Sequence, residues 1–200
     1  MSRNLAVAIV GPTCSGKSTL CQLLETRLSG LLTLSADDYY LDDRSFPYSG
    51  QWRNWELPEC IDYPRLFENL EQLKQGRATT GPQLNHTRHS RELILLQPKP
   101  IIIAQGLHLL NFAECRDLFE LKIYLDIRTQ TIRKRRIGRD PQLLSYIDAV
   151  VLPSCEKYVS SARLLPGVHI VNAERPLQTL LHDVFGLILA GIADAKKDLV

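Results

Sequence analysis

A nine-residue loop between an apolar run and a segment of helical spacing constrains the fold of this 200-residue chain more than any other feature. The loop reads Gly-Pro-Thr-Cys-Ser-Gly-Lys-Ser-Thr over residues 11–19, and it directly follows Leu5–Val10, a run of strand length. A glycine-framed turn between a strand and a helix directs successive main-chain N–H groups at phosphate oxygens, and the helix start adds the positive end of its dipole. The pattern therefore predicts that the chain binds a nucleoside triphosphate.

Individual positions of this loop predict individual contacts. Lys17 is expected to reach the β- and γ-phosphates, and the Ser18 hydroxyl is expected to be a ligand of Mg²⁺. The remaining loop positions predicted to contact the triphosphate are Gly11, Thr13, Cys14, Ser15, Gly16 and Thr19. A chance glycine-rich turn is the alternative, and the flanking strand and helix argue against it.

The composition bounds the class of protein. A hydrophobic content of 44% suits a domain with a sizeable core, and a net charge of +2 gives no electrostatic argument for a nucleic-acid or membrane partner. No apolar run is judged long enough to cross a bilayer, and the first ten residues lack the apolar core of a signal peptide. Five scattered cysteines without a C-x-x-C pair are typical of reduced thiols. We therefore expect a cytoplasmic protein, and the sequence leaves its oligomeric state open.

Apolar runs of strand length recur along the chain, with helical segments between most of them. The runs are Leu5–Val10, Leu31–Ser35, 100–104, 121–125 and 168–171. Near-continuous apolar strands that alternate with helices indicate an α/β fold in which a five-stranded, mostly parallel sheet carries helices on both faces. We expect residues 1–200 to form a single domain. Ligands of such sheets bind at the carboxyl ends of the strands.

Two carboxylates follow the second of these runs. Asp37 and Asp38 could hold Mg²⁺ through water or accept a proton from an attacking hydroxyl. A solvated turn or a helix cap is the alternative, because aspartate is common at both. The phosphate-binding loop at the same edge of the sheet favours a functional role, for Asp37 more than for Asp38.

Residues 41–62 contain prolines and a glycine with little periodicity, and we interpret them as a loop excursion. Within it, Trp55 could stack on a planar ring while Glu56 accepts hydrogen bonds from sugar hydroxyls. A tryptophan that plugs the loop onto the core is an equally simple alternative.

A polar stretch over residues 82–91 has no clear strand or helix period. Its histidines and arginines, among them His89 and Arg91, could grip a hydroxylated or anionic ligand. An ordinary solvated surface loop is the alternative.

The run Thr129–Arg139 has a helix-like pattern and is rich in arginine. Arg135 and Arg136 lie four and three residues before Arg139, so the three can share a helix face. Such a face could clamp the triphosphate and neutralise charge during phosphoryl transfer. A solvated face and a nucleic-acid patch are the alternatives, and the patch is disfavoured because no aromatic-basic pattern extends it.

Together these residues resemble the uridine kinase and phosphoribulokinase group of P-loop kinases, from residue 5 to about residue 172. Residues 37–40 are similar to the group's Asp-x-aromatic-Tyr motif, which implies that Asp37 is the catalytic base and that Tyr40 contacts the substrate. The sequence Asn-Trp-Glu-Leu-Pro-Glu over 54–59 resembles a stretch whose first acid binds ribose hydroxyls, which implicates Glu56 beside Trp55.

The remaining similarities concern the nucleoside-binding loop and the lid. His89-Ser90-Arg91 matches a His-Ser-Arg motif of the group's nucleoside-binding loop, and residues 126–140 align with the segment that leads into the lid. The resemblance implies a P-loop NTPase fold of the nucleoside monophosphate kinase type, with ATP and Mg²⁺ as cofactors. It also implies transfer of the γ-phosphoryl of ATP to a small-molecule hydroxyl, the 5′-OH of a ribonucleoside, with Lys17, Asp37 and Arg136 as catalytic residues.

The sequence departs from uridine kinases at three places. Leu84 and His86 replace two aromatic residues that contact the base, and Gln105 replaces a glutamate that helps to hold the metal beside Ser18 and Asp37. The lid, around residues 133–150, is short and resembles that of nicotinamide riboside kinases. The alternatives are therefore a kinase of nicotinamide riboside or of a non-nucleoside sugar or alcohol, and a nucleotide-binding regulator or ATPase without transfer activity.

Overall fold

The apolar runs form the central sheet of the protein. The computed structural model describes residues 4–85 and 90–197. The strands are β1 (Leu5–Val10), β2 (Leu31–Ser35), β3 (Tyr48–Ser49), β4 (Trp52–Arg53), β5 (Thr79–Asn85), β6 (Ser90–Leu96), β7 (Ile101–Gly106), β8 (Leu121–Asp126) and β9 (Val168–Asn172). The helices are α1 (Lys17–Arg27), α2 (Tyr63–Lys74), α3 (Thr129–Arg139), the single turns α4 (Leu144–Tyr146) and α5 (Leu152–Ser154), and α6 (Leu177–Lys197).

Five of the strands pair in the order β2-β7-β1-β8-β9, and all of these pairings are parallel. The strand β1 lies in the centre, with Leu5 opposite Ile101 and Val7 opposite Leu121. All five carboxyl ends therefore meet at one edge of the sheet, and the loop over 11–19 leaves from the middle of that edge. The predicted five-stranded parallel sheet is confirmed.

Helices cover both faces of this sheet, because alternate side chains of each strand point to opposite sides. One face packs Ala6, Ala8 and Val10 of β1 against Leu66, Leu70 and Leu73 of α2. The other face packs Leu5, Val7 and Ile9 of β1 against Leu20 and Leu24 of α1 and against Leu181 and Val184 of α6. Each such leucine contributes roughly 1.5–3 kcal/mol of transfer free energy on burial. The two clusters fix the sheet edge on which the loop sits.

The helix α2 begins and ends where its sequence provides the signals. The Asp62 side chain accepts a hydrogen bond from the Arg65 main-chain N–H at 3.1 Å, and Pro64 lies in the first turn, where no N–H donor is needed. Gly76 follows the helix with a φ of +75°. The helix α3 has the bounds that the arginine-rich run predicts.

Residues 141–164 form an irregular helical stretch. The turns α4 and α5 alternate with π-helical turns over Ile147–Val151 and Cys155–Val159, and 3₁₀ turns flank them. Pro153 lies inside this stretch and has no N–H to donate, so a regular α-helical ladder cannot run through it.

The segment over residues 82–91 corrects one sequence-based interpretation. Its described part belongs to an antiparallel hairpin, in which β5 and β6 pair from Thr79 opposite Leu96 onward. The hairpin was missed because one of its faces is open to solvent. Leu93 and Leu95 are 66% and 62% exposed, so the apolar residues of β6 do not mark a single buried face.

The excursion over 41–62 is built of short pieces, as predicted. The strands β3 and β4 form a hairpin of two residues each, with Tyr48 opposite Arg53. Short 3₁₀ turns cover Asp43–Ser45 and Pro58–Cys60.

The helix α6 corrects the expectation that no segment is long enough for a membrane span. Residues Leu177–Ala195 have a mean hydropathy of 1.3, which meets the length and composition of a span, and 22% of this window is buried. Length and composition alone are weak evidence, since a helix packed on a sheet passes the same test. In α6, Leu180, Leu181, Val184 and Ile188 lie in the core cluster on one face of the sheet.

Candidate active site

A cavity of about 680 Å³ opens at the carboxyl edge of the sheet. Its phosphate-loop wall consists of Thr13, Cys14, Gly16, Lys17, Ser18 and Thr19. Other predicted site residues on its walls are Asp37, Tyr40, Trp55, Glu56, Gln105, Arg136 and Arg139. Side chains that are far apart in the sequence thus line one cavity.

The loop over 11–19 has the backbone of an anion-binding nest. Cys14 and Gly16 both have left-handed conformations, with φ of +59° and +95°, which turn the N–H groups between them inward. Position 11 requires glycine, because the Cβ of any other residue would lie 2.7 Å from the Leu125 carbonyl oxygen of the neighbouring strand. The geometry fits a phosphate group at the start of α1.

Lys17 is folded into this loop. Its Nζ donates hydrogen bonds to the carbonyl oxygens of Gly11 and Pro12, both at 2.8 Å. An ammonium has three N–H donors, so one remains for a ligand. Burial lowers the pKa of Lys17, and the negative charge of Asp37 opposes that shift.

Two buried polar atoms at the site have no hydrogen-bond partner within the part of the chain that the structure describes. They are the Ser15 Oγ and the Arg136 Nε. A buried polar group without a partner costs free energy that a ligand can recover. Phosphate oxygens would accept from both atoms, so the residues present fit a bound triphosphate.

The predicted magnesium ligands all line the cavity. Ser18 lies in the first turn of α1, Asp37 follows β2, and Gln105 is the penultimate residue of β7. Gln105 is buried and its Nε2 donates to the Ser35 Oγ at 2.6 Å, which fixes the amide. The described residues contain no group of three or more His, Cys, Asp or Glu side chains that could together hold a metal ion. An oxygen set of one hydroxyl, one carboxylate and one amide suits Mg²⁺, which usually keeps several waters and phosphate oxygens in its shell.

The two neighbouring aspartates differ in their surroundings. Asp37 is exposed in the cavity, whereas the Asp38 Oδ1 accepts a hydrogen bond from the Leu84 main-chain N–H at 2.8 Å. Asp38 therefore ties the β5–β6 hairpin to the sheet. Of the two aspartates, only Asp37 lines the cavity, so it stays the predicted functional member of the pair.

Glu56 and Trp55 both line the cavity. Glu56 is 7% exposed, and its main-chain N–H donates to the Asn54 Oδ1 at 2.9 Å. Trp55 is 39% exposed, and its ring packs edge-on against Phe46 at a centroid distance of 5.0 Å. The Tyr40 hydroxyl donates to the Trp55 carbonyl oxygen at 2.9 Å. The Trp55 indole thus packs on the excursion over 41–62 and also forms part of the cavity wall.

Five further residues line the cavity and were missed by the sequence reasoning. They are Trp52, Arg53, Leu107, Leu143 and Tyr146. The rings of Trp52 and Tyr146 pack edge-on at 6.0 Å, and the Tyr146 hydroxyl accepts from the Trp55 N–H at 3.1 Å. No spacing rule links positions 52 and 146, because only the tertiary fold brings them together. Asn54 does not line the cavity but supports Glu56 by accepting a hydrogen bond from its main-chain N–H. The Asn-x-Glu spacing over 54–56 was the sequence signal for that contact.

The arginines of α3 separate into two roles. Arg136 and Arg139 line the cavity and pair with Asp140 at 3.3 and 3.1 Å. Arg135 instead donates to the main-chain oxygens of Cys14 at 3.1 Å and Ala173 at 3.2 Å. The predicted shared face therefore reaches the cavity through two of its three members, and Arg135 anchors the helix to the phosphate-binding loop.

The predicted nucleoside-loop residues are placed differently. Arg91 donates to the Tyr40 carbonyl oxygen and lines a separate cavity of about 310 Å³ beside the hairpin. His89 and His86 lie outside the described residues. The structure thus brings Arg91 near the site only through its bond to the Tyr40 main chain.

Comparison with known proteins agrees with this geometry. The profile of the Phosphoribulokinase / Uridine kinase family matches residues 6–146. A uridine kinase of Staphylococcus haemolyticus (strain JCSC1435) is 33% identical over 145 residues, which are 70% of this chain and 70% of that protein. The chain belongs to this family. It is an ATP-dependent kinase.

Solved structures share the fold of this kinase. One, described as a candidate fructose transport system kinase from Silicibacter sp. TM1040, has a TM-score of 0.70 at 19% identity and covers 84% of this chain and 90% of its own. Another, described as a candidate uridine kinase from Bacillus stearothermophilus, has a TM-score of 0.58 at 20% identity with the same coverage. At these identities the likeness shows the P-loop kinase fold alone.

The electrostatics of the kinase's cavity centre on Glu56. Burial raises the pKa of the Glu56 carboxyl to about 7, and the negative charge of Asp37 acts in the same direction. Arg139 and Lys17 act against both. Removal from water disfavours the charged carboxylate, so ionising Glu56 in the folded protein costs more free energy than ionising it in the unfolded chain.

Replacing Glu56 with glutamine is expected to stabilise the folded kinase at pH 8. Between the ordinary carboxyl pKa of 4.5 and the folded value of about 7, the unfolded chain has lost the proton while the folded one keeps it, so the free energy of unfolding falls as pH rises. The variant has no such proton to lose. We expect its stability relative to the unmodified protein to increase by about 1–3 kcal/mol between pH 4.5 and pH 8, measured by urea denaturation. A difference that does not change with pH would contradict the buried, titrating carboxyl.

Proposed function

We propose that this kinase transfers the γ-phosphoryl of ATP to the 5′-hydroxyl of a ribonucleoside. The observation that carries the proposal is that one cavity is lined by a phosphate-binding nest and by a buried acid, Glu56, together with four aromatic side chains, Tyr40, Trp52, Trp55 and Tyr146. A carboxylate accepts hydrogen bonds from vicinal sugar hydroxyls, and aromatic walls contact a flat base. An acceptor that matches both features carries a sugar joined to a ring.

The nest and Lys17 would hold the phosphates of ATP, and Ser15 Oγ would gain the partner it lacks within the described protein. Gly11, Thr13, Cys14, Gly16 and Thr19 would complete this wall. Ser18, Asp37 and Gln105 would face a bound Mg²⁺, which supplies charge neutralisation at the phosphoryl oxygens. A neutral amide at position 105 neutralises less of the metal's charge than a carboxylate there would.

Asp37 would orient the attacking hydroxyl and accept its proton. It lines the same cavity as the phosphate-binding loop and Glu56, its charge acts on both Lys17 and Glu56, and it is the exposed member of its pair. Glu56 would accept hydrogen bonds from the sugar, and Tyr40 and Trp55 would enclose it. Phosphoryl transfer needs positioning more than covalent help from the protein, so fixed geometry between these groups is the main contribution.

Residues 133–150 would act as a short lid within a single catalytic domain. Arg136 and Arg139 face the cavity from α3, and Tyr146 contacts the Trp55 main chain from the far side. Guanidinium groups over the transferring phosphoryl stabilise its developing charge. Closure around them would exclude water, which competes with the acceptor hydroxyl. With the scattered thiols, all five free in the structure, we infer a cytoplasmic enzyme with a small-molecule partner.

Two other functions have specific support. Leu84 and His86 stand where uridine kinases place an aromatic pair against the base, which favours nicotinamide riboside or a non-nucleoside sugar or alcohol as acceptor. Gln105 in the predicted metal site favours a nucleotide-binding protein without transfer.

An acceptor panel separates these functions. Release of ADP from Mg-ATP is measured with uridine, cytidine, nicotinamide riboside, fructose and glycerate, with acceptor-free protein as the baseline. We expect a riboside to raise the rate well above the baseline. A response only to fructose or glycerate would reject the riboside proposal, and ATP binding without any response would favour the regulator.

A further inference from the structure

A buried histidine contacts the main chain of Glu56, one of the residues that line the cavity. His108 follows β7 and is 1% exposed, and its Nε2 is 2.9 Å from the Glu56 carbonyl oxygen. A carbonyl oxygen can only accept, so the ring nitrogen that faces it must carry the hydrogen. This contact places a hydrogen on Nε2.

The other ring nitrogen faces Asn111. The Asn111 Nδ2 is 3.4 Å from the His108 Nδ1 and also donates to the Tyr158 carbonyl oxygen at 2.9 Å. The bond to Tyr158 orients the amide with its NH₂ group toward the ring. The Nδ1 is therefore the acceptor, and the ring is neutral with its hydrogen on Nε2.

Packing and charge around the ring favour the neutral form. Tyr63 and Tyr158 pack edge-on against it at 6.5 Å each, and the Tyr63 hydroxyl accepts from the His108 main-chain N–H at 3.2 Å. Burial lowers the pKa of His108 to about 4, and the positive charge of Lys17 adds to that effect. Hydrogen bonding to the main chains of Glu56 and Tyr158 and the negative charge of Glu59 oppose it, but burial dominates.

We propose that His108 is a positioning residue that holds the Glu56 main chain in place through its Nε2–H. The inference rests on the proposed role of Glu56 in acceptor binding. Hydrogen bonds run from Tyr158 through Asn111 and His108 to Glu56. They join the irregular helical stretch over 141–164, the loop after β7 and the excursion over 41–62. If the His108 ring is removed, the Glu56 main-chain carbonyl loses its hydrogen-bond partner. The Glu56 carboxyl is then no longer held at a fixed distance from Asp37.

Substitutions at position 108 test the kinetic consequence. His108→Leu removes both hydrogen bonds, whereas His108→Gln retains an amide N–H that can reach the Glu56 carbonyl. With the best acceptor of the panel, we expect His108→Leu to raise the acceptor KM roughly tenfold and to leave the KM for ATP unchanged. His108→Gln should recover most of the acceptor KM. His182→Leu, at a side chain that is 90% exposed, is the matched control and should have no effect.

A spectroscopic measurement tests the tautomer independently of any acceptor. In protein with ¹⁵N-labelled histidine, the signals that disappear in His108→Gln belong to His108. We expect one protonated and one unprotonated nitrogen at pH 7, with Nε2 protonated. A charged ring or an Nδ1–H tautomer would overturn the proposal.

The two hypotheses can fail separately. If Glu56→Gln leaves the acceptor KM unchanged, the proposed role of Glu56 is wrong, and the tautomer result stands by itself. If Glu56→Gln raises the acceptor KM but folded His108→Leu does not, the positioning role of His108 is wrong. Equal losses for ATP and acceptor in His108→Leu, without recovery in His108→Gln, would indicate a purely structural histidine and also reject the proposal.

Discussion

Replacing Asp37 with asparagine is expected to lower kcat by a factor of about 10²–10⁴ while the affinity for ATP stays the same. Asparagine keeps the size of the side chain and its ability to accept one hydrogen bond, but it cannot take a proton. Because Asp37 lines the same cavity as Lys17 and Glu56 and interacts electrostatically with both, we expect the loss to fall on the transfer step. The measurements are acceptor-dependent ADP release and equilibrium binding of a fluorescent ATP analogue.

Asp38→Asn is the matched control for this prediction. The adjacent carboxylate accepts from the Leu84 N–H, a bond that the asparagine carbonyl can still accept. We expect kcat within a few-fold of the unmodified protein and at most a modest loss of stability. Transfer that survives in Asp37→Asn and is lost in Asp38→Asn would reverse the assignment.

Replacing Arg136 with methionine is expected to lower kcat by about 10³, with little change in ATP binding. Arg136 lines the cavity, and its Nε is buried without a partner in the described protein, so the guanidinium is available for the charge that develops in the transition state. Methionine fills similar volume without the charge. Asp140 keeps its contact with Arg139 in the variant, so the end of α3 is not left with an unpaired acid. Single-turnover transfer is the direct measurement.

Lys134→Met on the same helix is the control for Arg136→Met. Lys134 is exposed and does not line the cavity, so its loss tests whether positive charge on α3 acts in a general way. We expect unchanged kcat. Similar losses in both variants would show that the net charge of the helix matters and that Arg136 has no specific role.

The central sheet and the helix α3 could be predicted because their signals are local. A strand such as β1, buried on both faces, requires a continuous apolar run, and Leu5–Val10 is one. Likewise the glycine-framed pattern over 11–19 is a local signal, and the loop has the left-handed residues Cys14 and Gly16 that such a turn uses. Position at the carboxyl end of a parallel strand was enough to predict that Asp37 and Gln105 lie at the same edge of the sheet, and both line the cavity.

The acceptor end of the cavity could not be predicted, because it is assembled from distant segments. Trp52 belongs to a two-residue strand and Tyr146 to a single helical turn, and neither element is long enough to leave a period in the sequence. The same holds for His108, whose role depends on Glu56 and Asn111 reaching it from two sides.

Helical spacing gave a partial answer for the arginines. Three and four residues of separation place side chains on the same side of a helix, but each long side chain still selects its own partners. Arg135 finds main-chain oxygens of the phosphate-binding loop, and only Arg136 and Arg139 reach the cavity. The position of those oxygens relative to α3 is a property of the whole fold.

The most direct test of the proposed reaction compares a riboside with its 5′-deoxy counterpart in the ADP-release assay. The two molecules share the ring and the sugar hydroxyls that would face Glu56 and the aromatic walls, and they differ only at the atom that would accept the phosphoryl group. The account predicts rapid ADP release with the riboside, a 5′-monophosphate as product, and no stimulation by the 5′-deoxy compound, which should instead compete with the riboside. Equal stimulation by both compounds, or a product phosphorylated elsewhere, would contradict it.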